Sequence, residues 1–323
     1  MGFEAKIVAD SIGPQGHRIT SMLITFPRYI LAEFNTHRML SRNSASSRAI
    51  PFKKMVEIVK KNPFVPLKWM KDHTGMQGTE YFPDEGFTAK EGIGAKFFVD
   101  GWLRARDRAL AIAGDLHDSN LTKQLCNRLL EPFMWHTCLV TATEWENFFA
   151  LRYDPAADIH MQEIARLMLE TMNASVPRKL KAGDWHIPFV DYDMGFAPFE
   201  GCTNEDYLKI STARCARTSY TLIGDAEKQF DYEADIKLHD RLAAAGHWSP
   251  FEHCAQAMDA AMYDSWGRRV VKDTGAPDNR GPNGFLQSSV YESGWCGNFR
   301  GWIQYRKLFA NENRRDPRLI CYQ

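Results

Sequence analysis

The sequence predicts a mixed α+β fold, rich in helix, on three observations. Residues 19–26 (ITSMLITF) have the length and β-branched, apolar composition of a strand. Several longer segments repeat apolar residues at helical spacing. Residues that start and stop helices bracket those segments.

After the strand, Pro27 opens a helix expected from Arg28 to about Leu40, because proline is tolerated in a first turn. Ser41, Asn43, Ser44, Ser46, Ser47 and Arg48 then read as a tight turn. Residues 96–116 carry Phe97, Phe98, Leu103, Leu110, Ile112 and Leu116 at broadly helical spacing. Further helices are expected over about 122–130, interrupted by Pro132, and over about 143–152. Asp158 suits the cap of the next helix, whose Ile164, Leu167, Met168 and Met172 form an apolar stripe. Thr203–Asp206 has capping-box spacing and should start a helix through about Ala216. A helix from about Glu227 to Ala245 should stop at Gly246. Residues 71–95 and 264–297, rich in Gly, Asp, Asn and Pro, read as long loops. Residues 298–315 loosely echo residues 31–48: an aromatic helical segment, an Arg, an Asn-centred turn, then more Arg.

The chain has 323 residues, enough for one large domain or two small ones. It carries 40 basic and 40 acidic side chains, so no net charge draws it onto nucleic acid or an anionic membrane. No apolar run approaches the ~18 residues of a membrane span, and the first residues carry no secretion signal. The seven cysteines are scattered and never spaced C-x-x-C, so they read as reduced, mostly buried thiols of a cytoplasmic protein. No metal-ligand set appears at zinc spacing, and no P-loop, H-E-x-x-H or dinucleotide fingerprint is present.

Residues 36–48 (THRMLSRNSASSR) hold the densest chemistry. Hydroxyls, turn amides and the guanidinium groups of Arg38 and Arg48 together suit a phosphate, whose oxygens arginine grips two at a time. The same composition also suits a solvated Ser-rich loop. His247 and His253 read equally as polar residues satisfied in a turn after a helix.

In spacing, residues 36–48 resemble the R-H-R-x-x-S-x-N-x-x-S-x-R-Y motif of the flavin-dependent thymidylate synthases. His37, Arg38, Ser41, Asn43, Ser46 and Arg48 match, whereas Thr36, Ser44 and Ala49 replace Arg, a frequent Glu and Tyr. Residues 246–253 (GHWSPFEH) resemble the family's G-H-x-[ST]-P-F-E-H, and 213–220 (ARCARTSY) its A-R-x-S-[FY] segment. Asn147 and Arg152 match a family helix, with Thr141 or Thr143 where a further Asn belongs, and Arg128 matches a nucleotide-binding Arg.

The resemblance implies a flavin-dependent thymidylate synthase-like fold and one-carbon transfer from methylenetetrahydrofolate to C5 of a deoxypyrimidine monophosphate. The leading expectation is dUMP to dTMP, with FAD as hydride carrier and NADPH as reductant. Arg38, Ser46, Arg48, Arg128 and Arg152 would hold the nucleotide, and Arg152 would stabilise charge on the ring. His37, Asn43, Asn147, Ser219, His247, Ser249 and Glu252 would frame the flavin, with His247, Ser46 and Arg152 nearest the chemistry. Glu33 stands where the family commonly has Gln, which suits a cytosine amino group if it reaches the base. Hydroxymethylation of dUMP or dCMP for viral DNA modification, and a homologue that binds without catalysis, are the alternatives.

The motif order is reversed relative to the family, since the flavin elements follow residues 36–48. With the echo at 298–315, this reads as a fused partial duplication: 1–180 a nucleotide half, 181–323 a flavin half. Family sites form between subunits, so a homo-oligomer is expected.

Overall fold

A computed structural model describes residues 2–75, 78–85, 93–190, 201–219, 231–258, 295–309 and Glu312. Its centre is a five-stranded sheet in the order β3-β4-β2-β1-β5. These strands are β1 (Glu4–Ile12), β2 (Arg18–Pro27), β3 (Ser41–Ser44), β4 (Trp135–Ala142) and β5 (Arg178–Lys179). All neighbours are antiparallel except β5, which runs parallel to β1 and pairs Ser11 with Arg178 and Ile12 with Lys179. The expected strand at 19–26 is therefore the middle strand of the sheet, buried on both faces.

Strand alternation sorts the chemistry onto two faces. One face carries Met22, Ile24, Phe26, Cys138, Val140 and Ala142. Helix α6 (Ile159–Ala174) covers it with Met161, Ile164, Ala165 and Met168. As expected, Asp158 caps α6, accepting from the His160 amide at 2.9 Å. The opposite face carries a row of hydroxyls: Ser21 lies opposite Thr141, and Thr141 opposite Ser41.

That polar face is packed by the later part of the chain. A three-stranded sheet, order β10-β7-β6, is built from β6 (Trp185–His186), β7 (Ala255–Ala257) and β10 (Trp302–Gln304). A further hairpin pairs β8 (Trp295–Cys296) with β9 (Phe299–Arg300). Trp302, Phe299, Ala255, Ala257 and Leu180 pack on Ile19 of β2. Helices α7 (Asn204–Arg217) and α8 (Tyr232–Ala245) lie beside this sheet. Thr203 forms the expected capping box with Asp206, and Gly246 ends α8 at φ 72°, the left-handed conformation glycine favours.

Several expectations are corrected. The helix expected over 28–40 is one 3₁₀ turn and the four-residue α1 (Leu31–Phe34). Ser41 to Ser44 are extended, not a turn, because they complete the edge of the sheet against β4. The helix expected over 122–130 is α4 (Lys123–Cys126) followed by a 3₁₀ segment, Asn127–Phe133, since Pro132 lacks the amide an α-helix needs. The helix over 143–152 is α5 (Glu146–Arg152), and the strand before it, β4, reads poorly in sequence because both its faces are buried. The helical echo at 298–306 is instead strand, strand and a 3₁₀ turn, so it does not repeat α1. Most of the loop expected at 264–297, and Asn311, lie outside the described residues, as do 227–230. The long helix α3 (Ala95–Asp118) matches its expected span, and α2 (Phe52–Lys61) precedes it. No helix among the described residues is long and apolar enough to cross a membrane.

Candidate functional site

The expected site residues fall into three groups, placed by the two faces and the far end of β3.

The first group stands on the α6 side. Arg152, at the end of α5, donates from Nε to His37 Nε2 at 2.7 Å and from Nη2 to Thr36 Oγ1 at 3.0 Å. His37 therefore carries its ring proton on Nδ1. Burial, then the Arg152 and Arg42 charges, push its pKa down to about 4, so the ring is neutral at pH 7. Its ring stands edge-on to Phe148, 4.9 Å between centroids. Thr36, where the family has Arg, thus serves as an acceptor for Arg152 rather than a second cation against it. Glu33 is half-buried nearby, and burial and the Asp158 charge raise its pKa against the pull of Arg152.

The second group stands on the hydroxyl side. Asn43 of β3 is buried, and its amide is shared out completely. Nδ2 donates to the Cys215 carbonyl and, at 2.9 Å, to Thr218 Oγ1. Oδ1 accepts from Ser219 Oγ at 3.2 Å and Ser249 Oγ at 3.4 Å. The Ser46 amide donates to the Ser219 carbonyl at 2.9 Å. Residues 41–48 and the segments at 215–219 and 249–252 therefore meet within one chain, although 172 to 206 positions separate the bonded pairs. His247 and Ser249 are exposed on the turn after α8. Glu252 is ion-paired with Arg306, which also holds Glu312 at 2.8 Å.

The third group stands at the other end of β3. Asn127 Nδ2 donates to the Ser47 and Ile50 carbonyls at 2.6 and 3.0 Å, pinning the 47–50 turn. This sets exposed Arg48 against Gln124 of α4, at 3.2 Å, with exposed Arg128 next to Asn127. An open cleft beside it is lined by Arg104 and Arg108 of α3 and by Leu129. Arg38 lies at the opposite end of β3, whose four residues span about 13 Å. Arg38 and Arg48 therefore enter from opposite ends of an extended strand rather than from the two sides of a tight turn. Asn147 is exposed on α5.

Sequence reading passed over Arg42. It lies between the first two groups: Nη1 donates to the His37 carbonyl at 3.0 Å, its charge lowers the His37 pKa, and burial lowers its own against the Cys138 and Glu252 charges. Strand alternation across 41–44 would have separated it from Asn43. Among the described residues, no cluster of His, Cys, Asp and Glu could hold a metal. Cys126, Cys138, Cys202, Cys215 and Cys254 are free thiols, and all but Cys202 are buried.

Four histidines are held neutral: His37 at about 4, and His136, His186 and His253 at about 3, all chiefly by burial. Their folded pKa values lie below the unfolded 6.5, so the unfolded chain binds more protons between about pH 6.5 and 3. Stability should thus rise with pH across that window and fall on acidification, by up to about 1.4 kcal/mol per pH unit for each histidine. Urea midpoints measured from pH 7.5 to 5 check this; a flat midpoint would refute it.

The fold is thus a mixed α+β, helix-rich protein with open sheets, and its seam brings basic, amide and hydroxyl groups to one strand edge. A family model described as thymidylate synthase complementing protein matches residues 13–178, about half of the chain. The chain belongs to this family, the flavin-dependent thymidylate synthases. The match takes in residues 36–48, Arg128, Asn147 and Arg152 and ends before 211–253. No curated protein matches the chain.

Proposed function

We propose that the chain transfers a one-carbon unit from methylenetetrahydrofolate to C5 of a deoxypyrimidine monophosphate, with bound FAD as hydride carrier. The supporting observation is the seam at Asn43, where the strand that follows the His37–Arg38 motif packs directly on the 215–219 and 249–252 segments.

The donor set suits a flavin. Ser219 and Ser249 give their hydroxyl protons to Asn43 Oδ1 and keep lone pairs for a ring N–H, exposed His247 adds a ring nitrogen, and neutral His37 keeps Nδ1–H as a donor to a carbonyl or phosphate oxygen. Behind them His253 keeps a fully buried ring nitrogen, Nε2, with no partner among the described residues. FAD, when bound, supplies hydride chemistry that no side chain can. The protein's part is to hold and polarise. Arg152, oriented by His37 and Thr36, directs its remaining donor capacity to charge developing on the pyrimidine ring. Arg48 and Arg128, with Ser46, form the phosphate end. Asn147 and Glu252 complete the flavin frame, Glu252 held through Arg306.

The His37 group packs on the α6 side and the Asn43 group on the opposite side of the sheet edge, so on this reading one copy does not wrap all of these residues around one ligand. A second copy supplies the missing groups on this reading, giving a homo-oligomer with shared sites. The exposed apolar side chains Phe97, Ile112, Leu125 and Leu129 on α3, α4 and the adjoining 3₁₀ segment offer it a surface.

Titration of the purified protein with FAD should give a yellow complex with an absorbance band near roughly 450 nm. Incubation with dUMP or dCMP, methylenetetrahydrofolate and NADPH, followed by mass spectrometry, then names the product as methyl or hydroxymethyl. A colourless protein that leaves FAD free refutes the proposal. Glu33 favours the second reading, dCMP: as a carboxylate, the form the Arg152 charge supports, it accepts from a cytosine amino group, whereas a uracil carbonyl offers it no donor.

A further inference from the structure

The hydroxyl face of the central sheet holds a continuous chain of five neutral groups. Ser11 Oγ lies 2.9 Å from His186 Nδ1, and His186 Nε2 lies 2.9 Å from Ser21 Oγ. Ser21 Oγ lies 2.6 Å from Thr141 Oγ1, which lies 2.8 Å from His253 Nδ1. The chain crosses β1, β2 and β4 and ends at the residue after Glu252. Ser21, Thr141 and His253 are wholly buried, and His186 nearly so. Its two ends differ. Ser11 lines an open cleft of about 430 Å³ with Asp10, Arg178, Trp185 and Phe189. His253 Nε2 is buried and has no partner among the described residues.

We propose that Ser11, His186, Ser21, Thr141 and His253 form a proton relay between the Asp10–Ser11 cleft and the ring Nε2 of His253. The three inner members, His186, Ser21 and Thr141, each bond on both sides, so the chain has two consistent orientations. In one, Ser11 donates to His186 Nδ1, His186 Nε2–H to Ser21, Ser21 to Thr141, and Thr141 to His253 Nδ1, leaving His253 with Nε2–H. In the other, every bond is reversed and His253 Nε2 presents a lone pair.

Passage from the first to the second moves one proton. Water in the cleft gives a proton to Ser11 as Ser11 gives its own to His186 Nδ1. His186 passes its Nε2 proton to Ser21, Ser21 passes one to Thr141, and Thr141 passes one to His253 Nδ1. His253 gives its Nε2 proton to an acceptor bound at the 249–252 turn, and the hydroxide left in the cleft takes a proton from bulk water. Each atom that gains a bond to hydrogen loses one or passes the change along its ring, so no charge stays in the chain. A proton returned at Nε2 resets it. The destination rests on the flavin reading of the 249–252 turn, where redox chemistry exchanges protons with solvent from a buried position. The relay itself rests only on the hydrogen bonds.

The test uses the full chain labelled with ¹⁵N-histidine. Both orientations put the two rings in the same tautomer, either Nε2–H in both or Nδ1–H in both. Long-range ¹H–¹⁵N correlation should therefore show matching tautomers for His186 and His253. Opposite tautomers break the chain's direction and overturn the relay. In Ser21→Ala the His253 ring proton should exchange with solvent at least about tenfold more slowly, while β2 amides keep their rates. Unchanged ring exchange also overturns it. The FAD titration is read separately on the same sample. Absence of binding with matching tautomers defeats the flavin reading and leaves the relay, whereas FAD binding with opposite tautomers does the reverse.

Discussion

Asn43→Ala is expected to lower the unfolding free energy by about 2–3 kcal/mol and to abolish retention of FAD. The side chain is 6% exposed and bridges β3, the end of α7 and the 249–252 turn. Its removal takes one donor from the buried Cys215 carbonyl, which keeps Thr218 Oγ1 at 2.7 Å, and leaves the Ser219 hydroxyl without its acceptor. Each buried polar group so stranded costs about 1–3 kcal/mol, and partial reorganisation reduces the sum. Ser249→Ala is the control: Ser249 is exposed, and its loss should cost no more than about 0.5 kcal/mol. Urea unfolding of the three proteins decides the matter. If Asn43→Ala unfolds with the wild type, the seam is not held by this amide.

Arg152→Lys should reduce kcat/KM by about 10²–10³-fold with little change in stability. Lysine keeps the charge but loses the planar fork that reaches His37 Nε2 and Thr36 Oγ1 together. His37 is then free to turn, and the cation proposed to face the pyrimidine loses its direction. Because Arg152 is only half-buried, the thermal midpoint should stay close to that of the wild type. Turnover measured on whichever of dUMP and dCMP is the substrate gives the comparison. Wild-type kcat/KM in Arg152→Lys would show that the guanidinium fork does no work in the reaction.

What the sequence disclosed depended on how local each signal was. The α6 cap at Asp158, the Thr203 capping box and the Gly246 stop are decided within a few residues, and all three stand as expected. β4 was illegible because a strand buried on both faces has no alternation to read. β3 was misread because Ser and Asn favour turns, and only pairing with β4, almost a hundred residues later, extends them. The candidate residues of the signature stretch were recognisable, but their faces were not. One strand alternation puts Arg42 on the α6 side and Asn43 on the opposite side, and no composition rule carries that information. Arg306 escaped notice because its significance lies in a partner, Glu252, more than fifty residues away, and Glu312, read only as part of the 298–315 echo, proves to be held by Arg306.

The parallel pairing of β5 with β1 bears on the motif order expected from the sequence, with 211–253 after residues 36–48. Residues 13 and 178 bound the family match, and Ile12 and Arg178 belong to adjacent strands, about 5 Å apart. The matched stretch is therefore a module whose entrance and exit lie side by side. Modules of that kind accept a neighbour spliced before or after them without rethreading their interior. For the seam at Asn43, whether the flavin-side segment arrives ahead of the module or behind it is a question of genealogy rather than of mechanics. Rearrangement of the gene can reverse the reading order of the two parts and leave their surfaces facing each other.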